Sequence, residues 1–442
     1  MSVRSSRQRA AAPLLLAGLL LSPGALDAQP ASPATPAGAG ATAAAARAGL
    51  SPARLARLDA MLDEAARTRQ IGGAVALVLR DDRVVYQRAV GWHDREAGRV
   101  MTPDAVFRIA SQTKALTSAA ILMLVDEGKL TLGTPISRFF AGYARPMVAV
   151  RGDTGAVLVP ARRAITVRDL LTHTAGISYG TDAHVAERYR ALGLGPAAGF
   201  GWYTADKDEP VCETMDRLAT LPLVAQPGEA WVYGYNTDLL GCIVERASGM
   251  ALDVFLRTRL TAPLGMTDTH FFLPPAERER LVTVYASSGD TVVRAPEGAR
   301  GQGHYVDGPR RNFAGGAGLL ATARDYARFL QMIARGGTWE GRRYLSDHAV
   351  ALMRTNQVGT LHGTTVGFGL GFETVEQYGA ADLASRGAYG WGGAYSTSYR
   401  LDPAEGLILV FMINQLPNNK DVANRFQTMV YAALDSARAT GR

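Results

Sequence analysis

Ser111 and Lys114 stand three residues apart in Phe107-Arg108-Ile109-Ala110-Ser111-Gln112-Thr113-Lys114-Ala115-Leu116-Thr117. On a helix, this S-x-x-K spacing puts a hydroxyl and an amine on one face, a turn apart. An amine desolvated enough to lose its charge can take the hydroxyl proton. A helix N-terminus also offers free backbone N–H groups and positive potential, which suit a nucleophile and the oxyanion its attack creates. The chain has four lysines (Lys114, Lys129, Lys207, Lys420) against 43 arginines, and only Lys114 has a serine three residues before it. That scarcity sharpens a short pattern. On these residues alone, an N-cap serine beside a solvated lysine fits as well.

Two further stretches carry chemistry. A hydroxyl–amine pair needs a second proton handler for the leaving group. Trp231-Val232-Tyr233-Gly234-Tyr235-Asn236 offers two tyrosines just before a helix start. Tyr389-Gly390-Trp391-Gly392-Gly393-Ala394 leads towards a strand, and glycines at a strand edge admit a close backbone approach. A third stretch is a decoy. Gly176-Ile177-Ser178-Tyr179-Gly180 matches G-x-S-x-G, a nucleophile elbow that must follow a buried strand. Here a capped amphipathic helix precedes it, so Ser178 is not expected to be the nucleophile and His173 reads as structural.

The elements that must position these residues follow from periodicity. Ser118 to Asp126 continues from Lys114 as a helix apolar on nearly all faces, with Gly128 where a C-terminal cap would sit. Such a helix is buried. Ser51 caps a helix carrying Leu55, Leu58, Met61 and Leu62. Residues 74–79 and 84–92 read as a hairpin, and 395–401 and 407–413 as another, followed by a helix from about Asp421 to Ala437. Between them helical periods dominate. Thr166-Val167-Arg168-Asp169 is a capping box, Met215–Leu221 and Leu239–Ala247 look helical, and Thr322 caps a further helix. Strands at both ends with helices between predict an α+β protein. Its antiparallel sheet is built from N- and C-terminal segments, flanked by helices, with a helical region inserted.

Residues 1–28 read as a secretory signal: Arg4, Arg7 and Arg9, then the apolar run Ala10–Leu21, then Ala28 before Gln29. The apolar run is too short to span a bilayer, so an exported protein, periplasmic or secreted, without a stable membrane anchor is expected. Residues 29–50, rich in Ala, Pro, Gly and Ser, read as a disordered linker. One domain over 51–442 follows, with a sheet lobe at about 51–110 and 310–442 and a helical lobe at about 111–309. The net charge of +7 is spread without a dense basic block, which excludes a nucleic-acid reading. Seven scattered histidines form no metal pattern. Cys212 and Cys242 stand either as a disulfide or as two buried thiols.

Taken together and in this order, the Ser111, Tyr233 and Trp391 segments resemble the serine beta-lactamase and penicillin-recognising superfamily. The nearest branch is the beta-lactamase-like (family VIII) carboxylesterases. The resemblance covers about residues 55–437 and includes Leu170-Leu171-Thr172-His173-Thr174-Ala175-Gly176 and Gly315-Gly316-Ala317-Gly318-Leu319. It implies a beta-lactamase-like fold, Ser111 as acylated nucleophile, Lys114 as its base partner, and Tyr233 sharing protons with Lys114 and activating water. It implies an oxyanion hole from the backbone N–H groups of Ser111 and Ala394, and a substrate site at Trp391, Gly392, Gly393 and Tyr235. Two departures matter. The superfamily's Y-x-N is altered, because Tyr235 follows Tyr233 by two residues and Asn236 comes one place late; either the asparagine is absent or Tyr235 is the operative tyrosine. Trp391 also replaces the lysine of K-T-G, and an indole cannot hold a carboxylate by charge. Both changes point to small or short-chain carboxylic esters as substrates, with no cofactor. Amide hydrolysis (beta-lactams, D-Ala or other D-amino-acid peptides) by the same nucleophile is the alternative, and a non-catalytic cell-wall ligand-binding protein is a third possibility.

Overall fold

The computed structural model describes residues 45–152, 155–195, 206–417, 419 and 421–435. The expected signal and residues 29–44 of the expected linker lie outside them, and the last helix, expected to run to about Ala437, ends at Ala432. Helix α1 (Pro52–Arg67) turns Leu55, Leu58, Met61 and Leu62 inward. Pro52 sets its first turn, and Ser51 stands at the N-cap without a side-chain cap bond. Strands β1 (Gly73–Arg80) and β2 (Arg83–Asp94) form the expected hairpin. Its tight turn holds Asp81 and Asp82 at left-handed φ of 48° and 65°. Strand β3 (Arg99–Val100) extends the edge beyond β2.

The rest of this sheet comes from the far end of the chain: β4 (Val366–Phe368), β5 (Glu373–Val375), β6 (Tyr389–Gly392), β7 (Ser398–Asp402) and β8 (Leu407–Ile413). The order is β4-β5-β6-β7-β8-β1-β2-β3, antiparallel throughout, with Leu77 of β1 opposite Val410 of β8. The two-residue side-chain period sorts the central strands between two cores. Val75, Leu77, Leu79, Val410 and Met412 face one core; Ala74, Ala76, Val78, Leu409 and Phe411 face the other. Helices α2 (Thr113–Asp126), α3 (Asn236–Ser248) and α4 (Ala323–Ala334) build the first core. Helix α1 and α5 (Asp421–Ala432) cover the other. This is the α+β arrangement expected, and α2 is buried at every position from Thr113 to Leu124. Gly128 ends α2's last turn in the left-handed region, φ +71°.

Several expectations are corrected. Residues 45–50 do not continue a disordered linker: Ala45 and Leu50 are buried, Leu50 bridges to Leu434, and the Ser51 N–H donates to Ala433 O at 2.8 Å. The middle of the chain is not wholly helical. It carries hairpins at 147–152 with 155–160 and at 285–288 with 291–294, built on valine-rich runs too short to show a period. The glycine-rich stretch at 389–392 is itself a strand, so the next begins at Ser398 rather than Tyr395. Cys212 and Cys242, left open by the sequence, are joined as a disulfide. Among the described residues, no helix is long and apolar enough to cross a membrane.

The short helix Val167–Leu171 anchors the loop that follows it. Thr166 and Asp169 form the expected capping box, and Arg163 donates twice to the Asp169 carboxylate, at 2.7 and 2.9 Å. Burial opposes ionisation of Asp169, but the Arg163 guanidinium and the Thr166 donors outweigh it and hold the carboxyl below its ordinary range. A depressed carboxyl pKa contributes stability above the unfolded value and loses it as pH falls through the folded one. Asp169→Asn is expected to lower unfolding free energy by about 1–3 kcal/mol at pH 7. The gap to wild type should narrow below about pH 4, checked by urea denaturation at pH 7 and pH 3.

Candidate active site

Ser111 lies in a 3-10 turn, Ala110–Gln112, that runs straight into α2. The residue before it, Ala110, adopts φ +43°, a left-handed conformation that a non-glycine residue holds only when its surroundings impose it. Those surroundings are visible. Ile109 N–H donates to Leu319 O (3.2 Å), Leu319 N–H donates to Thr113 Oγ1 (3.0 Å), and Tyr326 Oη donates to Gln112 O (2.9 Å). The turn is fastened on both sides, and Ser111 remains partly exposed at its crest.

Lys114 is 3% exposed, and its amine has three partners. Nζ lies 3.2 Å from Ser111 Oγ, 3.0 Å from Tyr179 Oη and 2.7 Å from Gly316 O. A carbonyl can only accept, whereas the two hydroxyls can accept or donate. An ammonium therefore donates to all three. A neutral amine keeps two N–H bonds and receives one hydroxyl proton on its lone pair. Burial, reinforced by Tyr233, Asp238 and Tyr235, pushes the Tyr179 phenol well above its ordinary range, so Tyr179 stays a neutral hydroxyl. Ser111 is then the group placed to supply a proton to Lys114.

The tyrosines sort themselves by packing. Lys114 Nζ sits over the Tyr233 ring, 4.7 Å from its centroid. Trp391 Nε1–H donates to Tyr233 Oη at 3.3 Å. Tyr233 and Trp391, 158 positions apart in sequence, thus meet beside the amine. The hydroxyl bonded directly to Lys114 is that of Tyr179, not of Tyr233. Tyr235 does not line the site as the resemblance implied. It is 1% exposed, packs edge-on against Tyr179, and its hydroxyl accepts the Gly195 N–H at 3.0 Å. Asn236, the displaced asparagine of the second motif, points away as well. Its Nδ2 donates to His173 Nδ1 at 2.9 Å and to Val232 O at 3.2 Å. Burial, with Lys114 and His362 adding to it, holds His173 well below the ordinary imidazole range, so it is a neutral acceptor.

Ser178 is occupied elsewhere: Oγ bonds Asp182 and accepts the Gly180 N–H. The decoy motif forms a buried turn, and its contribution to the site is its neighbour, Tyr179. Sequence reasoning missed Tyr179 and the Gly316 carbonyl. A tyrosine inside a conspicuous motif and a Gly-Gly pair were the available signals.

The third segment closes on the first. Gly392 ends β6 opposite Ser398, and Gly393 N–H donates to Thr397 O (2.8 Å). A Cβ at Gly393 would stand 2.5 Å from Ile109 O and 2.3 Å from Thr397 Oγ1, so only glycine lets this turn, which continues into Ala394, reach the backbone just before Ser111. Among the described residues, no cluster of three or more His, Cys, Asp or Glu side chains could hold a metal ion.

A family model described as Beta-lactamase matches residues 58–434. Protein Rv1367c of Mycobacterium tuberculosis is 36% identical over 370 residues, covering 79% of this chain and 87% of its own. Esterase EstB of Burkholderia gladioli is 35% identical over 376 residues, covering 81% of this chain and 90% of its own. Among solved structures, EstCE1, described as a hydrolase with promiscuous acyltransferase activity, superposes with a TM-score of 0.73 at 25% identity. That match covers 90% of this chain and all of the other.

The Gly393 contact yields a test. A methyl there must displace the Ile109–Ser111 backbone, and a shift of about 1 Å at a reacting atom can cost about 10²-fold in rate. Gly393→Ala should therefore slow labelling of Ser111 by an aryl phosphonate by about that factor, with the far-UV circular dichroism unchanged.

Proposed function

Because the chain belongs to the beta-lactamase family, we propose that it is a serine hydrolase that cleaves small carboxylic esters through an acyl-enzyme on Ser111. The observation that carries this reading is the buried Lys114 amine, held 3.2 Å from Ser111 Oγ with its other partners accounted for. Ser111 Oγ attacks the ester carbonyl while its proton passes to the Lys114–Tyr233 pair. The oxyanion is received by the N–H groups of Ser111 and Ala394. Collapse breaks the bond to the alkoxide, which takes the proton and leaves as alcohol. Water, deprotonated by the same pair, then attacks the acyl group and returns Ser111 to its starting state.

Esters rather than amides are favoured by position 391. The superfamily's lysine there would meet a substrate carboxylate with charge; Trp391 instead presents an indole whose N–H is spent on Tyr233. Relatives named as esterases support the same choice. Export of the mature chain belongs to this reading, and the Cys212–Cys242 disulfide, a bond of oxidising compartments, supports it.

The test is turnover of p-nitrophenyl acetate and butyrate beside a chromogenic cephalosporin. Ester hydrolysis is expected to dominate, and Ser111→Ala should lower kcat/KM by about 10³-fold or more. Fast cephalosporin turnover with little ester turnover would reverse the substrate assignment. Ester turnover surviving in Ser111→Ala would remove Ser111 from the mechanism. Within the same assay, Tyr233→Phe should reduce kcat by about 10²–10⁴-fold, the usual worth of a positioned proton-transfer group. Tyr179→Phe, which removes an acceptor but no titrating partner, should cost less.

A further inference from the structure

Asp238 lies in the first turn of α3 and is 1% exposed. Its Oδ1 accepts the Gly316 N–H at 3.0 Å, and Gly316 O is the acceptor 2.7 Å from Lys114 Nζ. Its Oδ2 is buried with no hydrogen-bond partner among the described residues. A buried carboxylate oxygen left unpaired is costly, and such groups need an explanation. The surrounding loop is pinned so that this contact persists. Thr117 Oγ1 donates to Gly315 O (2.8 Å), and a Cβ on Gly316 would meet Asp238 Oδ2 at 2.4 Å. The Gly315-Gly316 pair therefore lets the start of α3 approach closely enough for a carboxylate to sit behind the lysine.

We propose that Asp238 is a positioning residue for Lys114: it clamps Gly316 so that the Gly316 carbonyl holds the amine against Ser111, and its buried negative charge stabilises the positive charge Lys114 gains on taking the Ser111 proton. The inference rests on the hydrolase reading above. The groups facing the carboxylate are Lys114 from α2, Tyr179 from the loop after the short helix, Tyr235 just ahead of α3, and the Gly316 N–H. Lys114 is the one cation among them. Burial raises the Asp238 carboxyl to about 6, with Lys114 and the Gly316 N–H opposing that rise. Above that pH the carboxylate is charged and supports proton transfer to Lys114; below it the support is lost.

The experiment follows the pH dependence, between pH 5 and 9, of Ser111 phosphonylation by a p-nitrophenyl phosphonate. In that reaction a Ser111 O–P bond forms, p-nitrophenolate leaves and the Ser111 proton goes to the Lys114–Tyr233 pair. The wild type should show an acid limb near pH 6. Asp238→Asn, nearly isosteric, should react about tenfold more slowly or worse on the plateau, the rate equivalent of one pKa unit of differential stabilisation, and should lack that limb. A purely structural role would not move the pH profile. Equal plateau rates and an unchanged acid limb in folded Asp238→Asn overturn the proposal while leaving the hydrolase reading intact. If Asp238→Asn does not fold, the wild-type profile decides: a limb near pH 6 supports the role and a flat profile from pH 5 to 7 overturns it. Failure of the wild type to be labelled at Ser111 at all overturns both readings.

Discussion

A buried amine must find partners for its N–H bonds, and much of this molecule is arranged around meeting that demand at Lys114. The side chain sits on a helix buried along its length, where an uncompensated charge would be expensive. Its three partners come from three separate parts of the chain: the turn at Ser111, the loop at Tyr179 and the glycine pair at Gly316. Each needs its own scaffold. The turn is held by Leu319 and Tyr326, the loop by the Thr166–Asp169 capping box, and the glycine pair by Thr117 and Asp238. The chemistry of the site and the packing of the helical core are therefore one problem.

The wall of the site beside the amine is aromatic. Tyr233 touches Trp391 (5.6 Å between ring centroids), Trp231 (5.7 Å) and His173 (4.9 Å), and Phe368 packs on both tryptophans. His362 lies 4.2 Å from the Trp231 ring and bonds Glu373 at 3.0 Å. Rigid rings packed against one another, stacked for Trp231 on Tyr233 and edge-to-face for Phe368, lose little conformational freedom when a ligand arrives. Where penicillin-recognising relatives place a lysine, this chain has built a wall. The wall also sets Tyr233: an indole N–H donated to its hydroxyl leaves that oxygen's own proton free to point elsewhere.

The Ser111–Lys114 pair was legible because it is local; a spacing of three on a helix fixes its geometry. The sheet was legible because its long strands, such as 73–80 and 407–413, are continuous apolar runs bounded by short polar turns. What escaped depended on long-range contact. Tyr179 reaches Lys114 only after a capped helix and a buried turn have placed it, and the feature of its segment that draws notice is the serine beside it. The choice between Tyr233 and Tyr235 rested on which ring faces the amine, a fact of packing rather than of spacing. The expected linker failed at 45–50 because alanine and glycine describe the composition of a segment, not whether a groove exists to receive it. The two central hairpins were missed because six-residue and four-residue strands carry too little pattern to outweigh their helical neighbours.

The sheet's strand order has a further consequence. Strand β1, made early in synthesis, has β2 on one side, but its other neighbour is β8, made near the end. Until residues 407–413 have emerged, β1 presents a bare apolar edge, and until residue 393 has, the Ser111 turn lacks the Gly393 backbone that seals it. Such high contact order makes folding a late and collective event. The nascent chain carries its nucleophile for most of its synthesis without the architecture that would make it reactive. A product truncated before β6 would lose three strands from the interior of the sheet, not its margin, and would leave β1, β2 and β3 cut off from the rest.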